Sequence, residues 1–114
     1  MQDMSEAAKW YRMAADKGLA IAQAKLAACY ASGSGVSQSD AEAVKWYLLA
    51  AAHGDIQAAA SLAYYYQFGN DIPQDYAKAA HWYRVAAEQG DILSQNMLGD
   101  FYTSGIGVSQ SALA

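Results

Sequence analysis

Residues that perform chemistry or form covalent cross-links are scarce in this chain. One cysteine, Cys29, among 114 residues excludes an intrachain disulfide. The two histidines, His53 and His81, stand 28 positions apart, and no cysteine cluster or carboxylate pair recurs at liganding spacing, so no metal, cofactor or catalytic site is expected. Seven basic residues against eleven acidic ones give a net charge of −4, which removes the electrostatic support that phosphate backbones or anionic lipid would need. Nucleic acid is therefore not an expected partner. The apolar runs, such as residues 46–52, fall far short of the ~20 residues of a membrane-spanning helix. The start, Met1 to Met4, has neither a basic stretch nor an apolar export segment. A trimmed chain would look the same, so the compartment stays open: cytoplasmic, or periplasmic or secreted after removal of a signal peptide.

What the chain does have is repetition. Trp10, Trp46 and Trp82 lie 36 residues apart, and each is followed by a tyrosine: Tyr11, Tyr47 and Tyr83. The same offset aligns Ala14, Ala50 and Ala86; Gly18, Gly54 and Gly90; Leu26, Leu62 and Leu98; Tyr30, Tyr66 and Tyr102; and Gln38, Gln74 and Gln110. A period in this range marks stacked supersecondary units, none of which can bury its apolar face alone. With 54% apolar residues the chain can fill one continuous core.

Ala43, Trp46, Tyr47, Ala50 and Ala51 fall at i, i+3, i+4, i+7 and i+8, one stripe of a helix. Each such stripe runs to a glycine (18, 54 or 90), the residue type that accepts the left-handed conformation past a helix end. A second stripe follows, Ala58, Leu62, Tyr65 and Tyr66 in the middle copy, with Asp55 and Asp91 placed to cap their helices and Leu19 unable to cap its own. Next comes a loop in which glycines permit positive φ and Val36, Ile72 or Val108 pins the chain inward. Asp71 replaces the second glycine of that loop, and the same turn is expected there with some strain. Six helices are predicted, near residues 3–17, 20–32, 40–53, 56–68, 75–89 and 92–104, with no strands. The tryptophans are expected in the core, and Cys29, whose equivalents are Tyr65 and Phe101, is expected to be a packed thiol.

The pattern Trp-Tyr-x-x-Ala-Ala-x-x-Gly, then Ala-Gln-x-x-Leu-x-x-x-Tyr-x-x-Gly-x-Gly-Val-x-Gln, resembles the Sel-one-like repeat (SLR), a relative of the tetratricopeptide repeat. The resemblance runs from about Ala7 to Gln110; Ala27 and Ala63 stand where the family usually has the glycine found here at Gly99. It implies an all-α fold, an α-solenoid superhelix of antiparallel helix pairs with 36-residue repeats. The chain then reads as a single repeat domain, 1–114, made of a half repeat 3–19, full repeats of about 20–54 and 55–90, and a partial repeat 91–114. The function implied is that of a non-catalytic scaffold or adaptor, of the kind bacterial members supply in signalling, envelope or secretion-linked assemblies.

In the related tetratricopeptide geometry the concave groove is lined at offsets of −5, −2, +2 and +5 from the repeat leucine. Transferred here, those offsets select Ile21, Ala24, Ala28 and Ala31; Gln57, Ala60, Tyr64 and Gln67; and Leu93, Asn96, Asp100 and Thr103. These positions do not recur between copies, as expected of side chains that read a partner. Tyr64, Gln67, Asn96 and Asp100 lead: a rigid aromatic surface, two amides able to pair with a peptide backbone, and a carboxylate for a basic side chain. The loop tip at Asn70 and Asp71 offers a second surface. Two other roles stay open, self-association through uncapped repeat ends into a homo-oligomer, and an inhibitor or immunity-type protein that plugs a partner's active site. The paired glycines at 33 and 35 follow a helix and lack a Lys-Ser/Thr partner, so they are not a phosphate loop.

Overall fold

Aspartate and serine side chains start most of the helices. The computed structural model describes residues 3–69 and 71–105, and among these the regular structure is wholly helical. Six helices of 13 residues each follow in order: α1 (Met4–Asp16), α2 (Ala20–Ser32), α3 (Asp40–Ala52), α4 (Ile56–Phe68), α5 (Tyr76–Glu88) and α6 (Ile92–Ser104). Each lies within a residue of the sequence expectation. The carboxylates of Asp3, Asp55, Asp75 and Asp91 and the hydroxyl of Ser39 accept a backbone N–H three residues on, at 2.9–3.2 Å. Leu19 gives α2 no side-chain cap, as its apolar side chain requires.

The turn closing each Trp-bearing helix is one device used three times. The amides of Gly18, Gly54 and Gly90 donate to the carbonyls of Ala15, Ala51 and Ala87, and the next amides, of Leu19, Asp55 and Asp91, reach back to Ala14, Ala50 and Ala86 at 3.1–3.2 Å. This is the Schellman arrangement, which needs the positive φ that these glycines supply (92°, 93° and 99°). The loop returning from the Leu-bearing helix is closed by Ser39 N–H donating to Tyr30 C=O and by Asp75 N–H donating to Tyr66 C=O, at 2.9 and 2.8 Å. In the first of these loops Gly35 is held at φ 76°, so near α1 that a Cβ there would lie 2.1 Å from the Met4 carbonyl oxygen. In the second loop Asp71 departs from expectation: no described non-glycine residue has positive φ. The loop takes a different path at Asp71, because a side chain makes the left-handed conformation costly. Asn70, Val108 and Gln110 lie outside the described residues.

The chain divides into two units, residues 1–58 and 59–114, with the boundary inside α4. In the first, α2 packs on α1 and on α3, and Leu26, Ala27, Ala43 and Ala50 are fully buried, with Ala15 and Trp46 nearly so. Cys29 is a buried free thiol, and burial pushes its pKa up. In the second unit α4, α5 and α6 share one core of Ala63, Ala79, Ala80, Tyr83 and Phe101, flanked by Tyr66, Trp82, Met97 and Leu98. Within it the Tyr83 hydroxyl donates to Gln67 Oε1 at 2.6 Å, while its ring meets Phe101 edge-on at 5.6 Å. One phenol thereby ties three helices together.

The expectation of buried tryptophans holds for Trp46, at 5% exposure, and fails for Trp10, at 59%. Trp46 of α3 lies against Arg12 of α1, a cover supplied by a different helix, whereas Trp10 is on α1 itself.

Two measurements check this packing. Gly35→Ala should destabilise by about 2–4 kcal/mol in urea unfolding, through the collision with Met4 and the left-handed backbone. Gly99→Ala, where an added Cβ meets nothing within 4 Å, should instead stabilise by ~0.5–1 kcal/mol. Burial, with a contribution from the neighbouring Tyr64 phenolate, raises the pKa of Tyr83. The folded state thus favours the neutral phenol, and its advantage is complete below the ordinary tyrosine pKa and lost as pH climbs above it. Tyr83→Phe should cost about 1 kcal/mol at neutral pH by loss of the Gln67 bond and should flatten the alkaline fall in stability relative to the parent chain.

Candidate peptide-binding surface

The positions selected by the groove offsets lie on α2, α4 and α6, and their surroundings differ from helix to helix. On α2, Ile21 is 57% exposed and Ala24, Ala28 and Ala31 present only methyl groups. Ala28 borders a shallow pocket with Met4, Tyr11, Lys25, Cys29, Ser32 and Ser34. On α4, Gln57 is exposed in the first turn and belongs to the first unit; Ala60 is half-buried, Tyr64 is 59% exposed and Gln67 is half-buried. On α6, Leu93, Asn96, Asp100 and Thr103 recur at helical spacing along one exposed stripe, with Leu93 at 78% exposure.

Tyr64 and Gln67 stand differently despite sharing a helix. Gln67 is already engaged: its carboxamide oxygen accepts from Tyr83, and its backbone carbonyl accepts from Gln74 Nε2 at 2.8 Å. Tyr64 instead stacks at a tilt on Phe68, ring centroids 4.6 Å apart, and meets Tyr65 edge-on at 6.5 Å. Phe68 is itself 57% exposed, so α4 carries a pair of solvent-facing rings one turn apart. Along α6 the Thr103 hydroxyl folds back onto the Gly99 carbonyl at 2.9 Å, while Asn96 and Asp100 project from an exposed stretch.

Phe68 is absent from the groove offsets, although the non-recurrence argument reaches it, since its equivalents are Ser32 and Ser104. The groove reading also passes over a recurring polar pair. Arg12 donates to the Tyr30 hydroxyl and Arg84 to the Tyr102 hydroxyl, each guanidinium lying over the ring it bonds, at 5.8 and 5.5 Å. The visible signal was Arg12 and Arg84 at the same register, with Leu48 between them.

His53 and His81 are both exposed; His53 Nδ1 donates to the Leu49 carbonyl at 2.9 Å, and His81 lies edge-on to Trp82 at 4.8 Å. Among the described residues no group of three or more His, Cys, Asp or Glu side chains could hold a metal ion, and no helix is long and apolar enough to cross a membrane.

The Sel1 repeat family model matches residues 1–19, 20–55, 56–91 and 92–113. Among solved structures, the chain resembles a protective antigen of uropathogenic Escherichia coli strains that displays an SLR fold, with 44% identity and a TM-score of 0.90 over 95% of this chain and 23% of that one. It also resembles a Sel1 repeat protein from Oxalobacter formigenes, with 38% identity and a TM-score of 0.90 over 96% of this chain and 45% of that one. This chain thus spans less than half the length of either. A search of curated proteins finds no match. Repeat period, helix order and both structural likenesses agree: the fold is an all-α solenoid, and the chain belongs to the Sel1 repeat family.

Proposed function

We propose that this chain is a non-catalytic interaction module that captures an extended peptide segment through the exposed side chains of α4 and α6. The observation that carries the reading is the Tyr64–Phe68 ring pair, two solvent-facing aromatic rings packed on each other one turn apart on α4. Rigid aromatic surface of this kind anchors partners at low entropic cost. Family membership supports the scaffold class, since Sel1 repeats typically mediate protein interactions.

Roles within the surface follow from chemistry. Tyr64, with Phe68 beneath it, supplies an apolar platform and a hydroxyl. Asn96 and the Gln67 amide pair with peptide backbone groups, and Asp100 receives a basic side chain. Leu93, Ala60 and Thr103 border the platform and shape its edges. The ligand class that fits is a segment carrying an apolar or aromatic residue near an Arg or Lys.

Peptides selected on the immobilised chain from a random library, and then measured individually, test this. Tyr64→Ala combined with Asp100→Asn should weaken the selected peptides by at least about tenfold, equivalent to ~1.4 kcal/mol, with helical circular dichroism unchanged. Undiminished binding by the double variant would overturn the reading, and transfer of the loss to Asp71 variants would move the surface to the loop tip.

A further inference from the structure

Basic side chains in this protein come to rest on aromatic rings. Of the seven Lys and Arg residues, six lie 5.1–5.9 Å from a ring centroid, Lys17 being the exception. Lys9 and Lys45 reach the tryptophan next in sequence, whereas the other four cross to a neighbouring helix: Arg12 to Tyr30, Lys25 to Tyr11, Lys78 to Tyr66 and Arg84 to Tyr102. Both arginines also donate to the hydroxyl of the tyrosine they lie over. A guanidinium is planar and weakly hydrated, so it can lie on a phenol ring and still aim an N–H at the hydroxyl.

The Tyr64–Phe68 pair departs from this pattern. Its rings are 59% and 57% exposed, and among the described residues, which include every Lys and Arg, none lies over either ring. Composition is the reason: α4 carries no charged residue, and Ser61 stands where the first copy has Lys25. Tyr76, also exposed and without a cation, already meets Phe101 edge-on and accepts from Gln74 at 3.0 Å. The unit that contains both rings, residues 59–114, holds five carboxylates, Asp71, Asp75, Glu88, Asp91 and Asp100, against two Lys or Arg residues, Lys78 and Arg84. Those two cations lie over Tyr66 and Tyr102. The charge around the pair is therefore complementary to a basic ligand. We propose that an arginine of the bound partner lies on the Tyr64–Phe68 rings, as Arg12 lies over Tyr30 and Arg84 over Tyr102 within the chain. This role rests on the peptide-binding surface proposed above, and it identifies which side chain of the segment meets the rings. Binding buries the rings together with the guanidinium, and the attraction between a cation and a ring face is stronger there than at an open surface.

Peptides selected on the immobilised 114-residue chain from a random library supply the probes. Those that bind should contain arginine, and replacing it by citrulline, which keeps the shape and loses the charge, should weaken binding about tenfold or more. Tyr64→Leu combined with Phe68→Leu retains apolar area and helix propensity but removes both π faces. With helical circular dichroism unchanged, this double variant should bind the arginine peptides at least about fivefold more weakly and their citrulline forms within about twofold of the parent. Peptides that lose nothing on citrulline substitution, or that bind the double variant as well as the parent, would overturn the arginine assignment and leave the peptide-binding surface standing. A library that yields no binding peptide would overturn both.

Discussion

Alanine at the helix contacts is the constraint from which the rest of the structure follows. Ala27, Ala43, Ala50, Ala58, Ala59, Ala63, Ala79 and Ala86 are all wholly inaccessible to solvent. A methyl group is the largest side chain that lets two helix axes approach so closely, and in a close-packed interior an added branch would have to displace backbone. Close approach has a second consequence: little volume remains between the axes for aromatic rings. The tyrosines of the Leu-bearing helices are therefore displaced toward the margins of the hairpins, where Tyr30, Tyr66 and Tyr102 remain half-buried. That position leaves their hydroxyls and ring faces available to arginine and lysine.

Small cores need precise ends, because a helix that frays by a turn loses a large share of its 13 residues. Each Trp-bearing helix hands the carbonyls of two successive alanines, 14 and 15, 50 and 51 or 86 and 87, to the turn, which makes the glycine and those alanines one cooperative unit. Gln23 and Gln95 extend it: their Nε2 groups donate to the carbonyls of Ala15 and Ala87, stitching the Leu-bearing helix to the end of the helix before it. In the middle copy Ala59 holds that register, and its methyl group has no donor for such a bond. The recurring Gln38 and Gln74 diverge as well, one donating to the buried Asp40 and the other to the Gln67 carbonyl. Residue identity recurs more faithfully than bonding does, because the second loop lacks the glycine that gives the first its path.

Helix limits, turns and caps were legible in the sequence because each depends on a residue's own backbone or on a partner three to five positions away. Gly54 and Asp55, read as stop and start, occupy those roles. Burial was less legible, because it depends on what lies beyond a repeat. Trp10 and Trp46 are identical in type and register, yet one is exposed and the other covered, since cover comes from Arg12 and its helix and not from the tryptophan's own neighbours. Asp71 shows the same limit on a smaller scale: tolerance of the left-handed region is a propensity, and the loop had another path available. At the candidate surface, the offset rule placed Tyr64, Asn96 and Asp100 on exposed faces but passed over Phe68. That rule describes a groove of uniform depth, and a bulky ring at Tyr64 extends the usable surface by one turn.

Recurrence and its failure thus carry separate information about this chain. Columns that repeat identically, such as Ala14/50/86 and Gly18/54/90, are fixed by geometry that tolerates no other residue. Columns that never repeat, such as Ala28/Tyr64/Asp100, are free of that geometry and open to selection by a ligand. A third kind repeats in residue type while its surroundings change: Trp10 against Trp46, and Arg84–Tyr102 against Arg12–Tyr30. In such a column the residue keeps its own helix and register while the cover it receives from neighbouring helices differs, so recurrence of type does not guarantee recurrence of burial.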